Sequence, residues 1–150
     1  MTNMLENQVD STVEIVLANK IGYERIAMAC SASYAEMFGF PKDRIEDLKT
    51  IVAEASINAM QHGNKGRPDA KVTVSMKCDN EAMVVQVVDE GGGIEEFPPN
   101  PDIEKIIEEE ELMTGFGLFL IKQLADQVEF NQVVDEGHTV KMTINMKEQV

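Results

Sequence analysis

Between Ser11 and Lys20 the apolar positions alternate, with Val13, Ile15 and Leu17 on one side, and this period of two predicts a strand. From Tyr23 to Phe38 the period lengthens. Ile26, Cys30, Ser33 and Met37 recur at helical spacing until Gly39 and Pro41 interrupt the run. A second helix is expected to open at Asp43, a favourable N-cap residue with Glu46 three positions on. Its seam is Ile45, Leu48, Val52, Ala55 and Ala59, and it should stop near Gly63 to Gly66, with Pro68 beyond. Alternation returns from Lys71 to Cys78 in Val72, Val74, Met76 and Cys78. Asp79-Asn80 makes a turn, and Ala82 to Val88 is a more continuously apolar strand, so the two form a hairpin. Glu95 to Met113 is proline-rich and then acidic, with one short helix expected around Ile103 to Glu110. Gly117 to Gln127 reads as a helix with Leu118, Ile121 and Leu124 facing inward. Val128 to Val134 and Thr139 to Met146 form a last hairpin around Asp135-Glu136-Gly137. The element order implies an α+β fold: a two-layer α/β sandwich with a mostly antiparallel sheet.

Composition narrows the class. A chain of 150 residues, 43% hydrophobic, suits one domain with one core, spanning residues 1–150. No apolar run reaches the length of a membrane span, and the first residues lack the basic and apolar parts of a signal peptide. The two cysteines, Cys30 and Cys78, make neither a disulfide framework nor a zinc pattern, so a cytoplasmic location is expected. The net charge of −14 argues against direct contact with nucleic acid or anionic membrane. An anionic ligand would need local help from backbone N–H groups or a metal ion, whereas a partner with a basic surface would be attracted. The same acidity also serves solubility alone.

Three features carry candidate chemistry. Glu54, Asn58 and His62 stand at i, i+4 and i+8, so they share a helical stripe beside the apolar seam. Such a stripe is either a solvated polar flank or a general base with an oxygen ligand one turn away that suits Mg²⁺. Asp89 follows a buried-looking strand and precedes Gly91-Gly92-Gly93. On their own these residues are equally a flexible turn, or a carboxylate beside a backbone that something must approach closely. Thr114-Gly115-Phe116-Gly117 comes just before a helix, where free N–H groups and the positive end of the dipole suit phosphate. Neither glycine stretch follows the Walker or dinucleotide-binding pattern.

In this order and spacing, the three segments resemble a known ATPase superfamily. "EASINAMQHGN" (Glu54 to Asn64) resembles the N box shared by gyrase, histidine kinases and mismatch-repair ATPases. "DEGGG" (Asp89 to Gly93) resembles their Asp-x-Gly-x-Gly box, and "TGFGLFLIKQLAD" (Thr114 to Asp126) their second glycine box. The short chain and the form of its N box are most like the anti-sigma-factor serine kinases (RsbW-like) of this GHKL group.

The resemblance implies a Bergerat-type ATP site with Mg²⁺. It assigns Asp89 to the adenine amino group, Asn58 to Mg²⁺ and Glu54 to the role of general base. Gly91 and Gly93 would let the backbone pass close to the nucleotide, and Gly115 and Gly117 would cradle phosphates. His62, Ile94, Thr114, Phe116 and Leu118 complete the implied nucleotide-binding set. Residues 95–114 would form a lid over ATP.

The implied activity is phosphorylation of a serine or threonine on an anti-sigma-factor antagonist of the STAS type. A sigma factor is the second implied partner, and a homodimer the implied assembly. The run Glu108 to Glu111 departs from the basic residue expected near a γ-phosphate. Lys105 is the one basic residue of the lid segment, and Lys65, Arg67 and Lys122 are candidates to reach in from elsewhere. The alternative function is a binding module whose lid is set by ATP without phosphoryl transfer. A third reading, the catalytic half of a histidine kinase, would call for a dimerising helix pair ahead of the first strand. His62 is expected to be structural or to touch the site rather than to accept phosphate.

Overall fold

The computed structural model describes residues 11–91, 114–133 and 137–147. The first strand, β1 (Val13–Ala18), leads into helix α1 (Glu24–Met37) and helix α2 (Lys42–Asn58). The last turn of the second helix widens into a π turn over Ala59–Gly63. A hairpin follows, β2 (Lys71–Cys78) and β3 (Ala82–Val88), and then helix α3 (Thr114–Leu124) and a second hairpin, β4 (Gln127–Val133) and β5 (Gly137–Asn145). Among the described residues the sheet has five strands in the order β1-β2-β3-β5-β4, and every pairing is antiparallel. It is the expected α+β two-layer sandwich.

Alternation decides which face of the sheet is covered. Leu17, Val72, Val74, Met76, Met83, Val85, Val87, Met142 and Ile144 are buried together. Their cross-strand partners keep them on one face, as in Leu17 opposite Val72, Val74 opposite Val87 and Met83 opposite Ile144. The predicted seam of α2 packs onto them: Ile45, Leu48, Val52, Ala55 and Ala59 are all buried, joined by Ile51. α2 is the central helix, packing on both α1 and α3.

Two sequence expectations shift. α2 begins at Lys42 rather than using Asp43 as its cap. Pro41 is the N-cap residue, in extended conformation, and its carbonyl accepts the first intrahelical bond from the Ile45 N–H at 3.0 Å. The fixed φ of proline prepares that entry, and Asp43 then sits in the first turn, where its charge suits the helix dipole. On α1 the buried face is Ala27, Ser31 and Ala35, not Ile26, Ser33 and Met37, which are exposed. Small side chains allow α1 to lie close against α2, whereas the larger ones face outward.

α3 begins three residues earlier than its apolar pattern suggests, so Thr114 and Gly115 are helical. At its other end, the buried Arg44 of α2 reaches Asp126 at 3.1 Å and Asp47 at 2.6 Å, and donates to the Leu124 carbonyl at 3.4 Å. Asp126 also accepts from the Asn145 backbone N–H at 2.8 Å. One guanidinium therefore ties the start of α2 to the end of α3 and, through Asp126, to β5. The segment expected to form a lid, with its short helix and acid run, lies outside the described residues.

Candidate active site

The second half of α2 supplies Glu54 and Asn58, one helical turn apart. α3 crosses them at Gly117, which is buried. A Cβ placed on Gly117 would stand 2.6 Å from Oε2 of Glu54 and 3.6 Å from Nδ2 of Asn58. The glycine is thus a spacing device, bringing the backbone of α3 against a carboxylate and an amide. Among the described residues, Nδ2 of Asn58 is buried without a hydrogen-bond partner. An orphaned polar atom at that depth costs about 1–3 kcal/mol unless something meets it. The first turn of α3 is Thr114-Gly115-Phe116-Gly117, and their N–H groups are the ones that a helix leaves without internal acceptors. Leu118 is half-buried and packs on the core.

Beyond Asn58 the α-helical period stops. In the π turn the Asn64 N–H donates to the Ala59 carbonyl at 2.8 Å, an i to i−5 bond. The stripe is therefore regular from Glu54 to Asn58 and then rotates, which sets the half-buried His62 off the line that strict helical spacing projects. The same widening brings Gly63 under the end of β3. There a Cβ on Gly63 would overlap the carboxylate of Asp89 and lie 2.8 Å from its Cβ.

Asp89, 5% exposed, is held by its Oδ1. That oxygen accepts from the Gly91 N–H at 2.8 Å and the His138 N–H at 3.0 Å, and faces His138 Nδ1 at 3.2 Å. The Asp89 N–H donates to the His138 carbonyl at 3.0 Å. Gly91 and Gly137 both have positive φ, at 64° and 93°. A Cβ on Gly91 would meet the Gly137 Cα at 2.7 Å, and one on Gly137 would overlap the Asp89 carbonyl. Gly91 is therefore required first by the β5 backbone. Gly93 and Ile94 lie outside the described residues, as do the side chains of Thr114 and Phe116.

Asn64, fully buried, joins these pieces. Its Nδ2 donates to Asn19 Oδ1 at 3.2 Å and to the Lys71 carbonyl at 2.9 Å, and its Oδ1 accepts from the Glu90 N–H at 2.8 Å. Arg67 donates through Nε to the Asn64 carbonyl at 3.1 Å and through Nη2 to the Gly91 carbonyl. Arg67 thus braces the Asp89 end instead of reaching toward Gly117. Lys122 is in the last turn of α3, about 10 Å of helical rise from Gly115. Sequence reasoning missed Asn64, Gly137 and His138. Asn64 closes the N-box motif and was open to notice, but nothing in a period or a spacing marks His138.

Glu54, Asn58 and Gly117 thus form one cluster, and Gly63, Asp89, Gly91, Gly137 and His138 a second, with the π turn between them. Residues 17–144 match the histidine kinase-like ATPase domain family. The chain belongs to this family. It is 33% identical over 142 residues to the serine-protein kinase RsbW of Listeria innocua, covering 91% of this chain and 89% of that one. It is 30% identical to the serine-protein kinase RsbW of Bacillus pumilus, covering 91% and 87%. Against the anti-sigma F factor of Clostridium beijerinckii the identity is 24%, covering 92% and 95%. The fold also resembles part of a solved chain that holds the RsbU and RsbW domains of Rv1364c from Mycobacterium tuberculosis, with a TM-score of 0.64 at 17% identity, covering 90% of this chain and 32% of that one. Within the histidine kinase-like ATPases the chain falls in the RsbW-like branch, and its enzyme class is protein serine/threonine kinase. No helix among the described residues is long and apolar enough to cross a membrane.

Proposed function

We propose that the chain binds ATP with Mg²⁺ and transfers phosphate to a serine or threonine of an anti-sigma-factor antagonist of the STAS type. We further propose that it binds a sigma factor and acts as a cytoplasmic homodimer. The observation that carries the reading is the meeting of Glu54, Asn58 and Gly117. The orphaned amide of Asn58 fits the group this reading needs. Turned one way an amide donates to a phosphate oxygen, and turned the other it offers an oxygen to a hard cation. Among the described residues no cluster of three or more His, Cys, Asp or Glu could hold a metal ion. A cation bound through Asn58 would therefore be shared with phosphate oxygens and water, as Mg²⁺ commonly is.

Each residue has a task that its position supports. Asp89 accepts from the amino group of adenine. The N–H groups of the first turn of α3 receive phosphate oxygens, aided by the dipole on an otherwise acidic protein. Glu54 takes the proton of the attacking hydroxyl. Bound Mg²⁺-ATP supplies the transferable phosphoryl group and a cation that offsets its charge, and the protein's part is mainly positioning.

Calorimetry with Mg²⁺-ATP tests the site. The expected result is binding in the wild type and its loss in both Asn58→Ala and Asp89→Asn. Transfer of labelled phosphate to an antagonist protein, abolished in Glu54→Gln, tests the reaction. A wild type that binds ATP and the antagonist but never labels it would refute phosphorylation of that partner.

A further inference from the structure

His138 is the one side chain from outside the loop after β3 that touches the Asp89 carboxylate by hydrogen bonding among the described residues. It arrives on β5, 49 positions along the chain. Its backbone and ring address the same oxygen. With the Gly91 N–H, they bring three contacts to Oδ1, two from backbone N–H groups and one from the ring nitrogen, and among the described residues none is made to Oδ2. Oδ2 lies over bare backbone, in the space that a Cβ on Gly63 would fill. Oδ1 is thus occupied by the protein's own groups, and Oδ2 is the carboxylate oxygen left to meet a ligand.

We propose that His138 is a positioning residue for base selection. It fixes the Asp89 carboxylate so that Oδ2 meets an exocyclic amine, which admits 6-aminopurine nucleotides and rejects 6-oxopurine ones. The proposal rests on the reading of Asp89 as the base-binding residue and adds what orients it. An amine at position 6 donates to Oδ2. A carbonyl there sets two acceptors face to face in a buried place and leaves both unsatisfied. Without the imidazole, Oδ1 keeps only its two backbone donors. The carboxylate then gains freedom to turn about its own axis and no longer holds Oδ2 in line with the amine. The imidazole therefore governs selectivity beyond its share of affinity.

The test is the ratio of ATP to inosine triphosphate affinity, because the two nucleotides differ at position 6 of the base. The wild type should prefer ATP by at least about a hundredfold, as expected of a site built around one hydrogen bond. His138→Leu should lower that ratio by about tenfold, in keeping with the loss of one side-chain hydrogen bond to a charged group. His138→Asn, whose amide nitrogen can stand near the place of Nδ1, should restore the ratio to within about threefold of the wild type. A structural role for the ring would not be rescued in the ratio by so small a polar side chain. If the Leu variant is too unstable to study, His138→Gln replaces it, offering the same donor one methylene out of place with the ratio expected to stay low.

A wild-type ratio in His138→Leu, or an Asn variant no better than Leu, overturns the proposal. If the wild type binds no ATP, or Asp89→Asn keeps the full ratio, the base-site reading itself fails and the proposal falls with it.

Discussion

Gly63 and Asp89 share one small volume: the carboxylate of Asp89 occupies the place where any side chain on Gly63 would begin. The relationship is not adjustable. Asp89 is short, and its Oδ1 is held by two backbone N–H groups and an imidazole, so the carboxylate cannot swing aside cheaply. Gly63→Ala is expected to destabilise the fold by about 1–3 kcal/mol through overpacking. It should also weaken ATP binding by at least about tenfold. Calorimetry and a thermal melt on one preparation check both. Unchanged binding would mean that Asp89 has another position compatible with the ligand.

Gly117 presents the contrasting case. Its would-be Cβ meets the far end of the flexible Glu54 side chain, which can move. Gly117→Ala should leave the melting temperature nearly unchanged and lower phosphoryl transfer by about tenfold to a hundredfold, the size expected when a general base is displaced. Single-turnover transfer to an antagonist checks this. A large fall in stability with normal turnover would place the strain in the helices instead.

Arg44 is expected to matter for stability and not for chemistry. Arg44→Met removes a buried guanidinium shared by Asp47, Asp126 and the Leu124 carbonyl. The two carboxylates are partly exposed, at 27% and 20%, so the cost is about 2 kcal/mol and not the larger penalty of a fully buried pair. Arg44→Lys should recover only part, because a lysine cannot reproduce the planar fork. Urea titration of both variants is the measurement.

Cys78 gives a pH signature. Burial first, then the negative charge of Asp79, pushes its thiol up to about 12 from 9.0. The folded state therefore keeps the proton longer than the unfolded chain. The stabilisation is fully present below about pH 9 and is lost as pH rises toward 12. Across pH 8 to 11 the wild type should lose stability relative to Cys78→Ala, whatever constant offset the smaller side chain adds. At pH 8 a thiol reagent should modify the half-buried Cys30 well before Cys78.

The hydrophobic pattern was enough for the strands because the sheet is covered by helices on one face. Val72, Val74 and Met76 had to alternate, and their burial follows. The same reasoning failed on α1. Ranking residues by size favours Ile26 and Met37, yet close helix packing puts Ala27, Ser31 and Ala35 inside. At the site, Glu54 and Asn58 were legible from helical spacing, and Gly117 from its motif. The π turn was not, because a widened turn leaves no periodic mark in five residues. His138 and Gly137 were hidden for a different reason. Their importance comes from the pairing of β5 with β3, and the sequence does not display that juxtaposition.

The strand order has a consequence for the history of the molecule. β5 lies between β3 and β4, so an interior place in the sheet is filled by the last of the described strands to be synthesised. Until residues 137–145 have left the ribosome, Asp89 lacks the carbonyl that accepts its N–H and two of the three groups that contact its Oδ1, the Gly91 N–H alone being in place. A nascent chain therefore carries its N box and both glycine motifs before the surroundings of Asp89 are complete. If Asp89 receives the base as proposed, nucleotide binding waits for β5, and ATP would then favour chains that have closed the sheet.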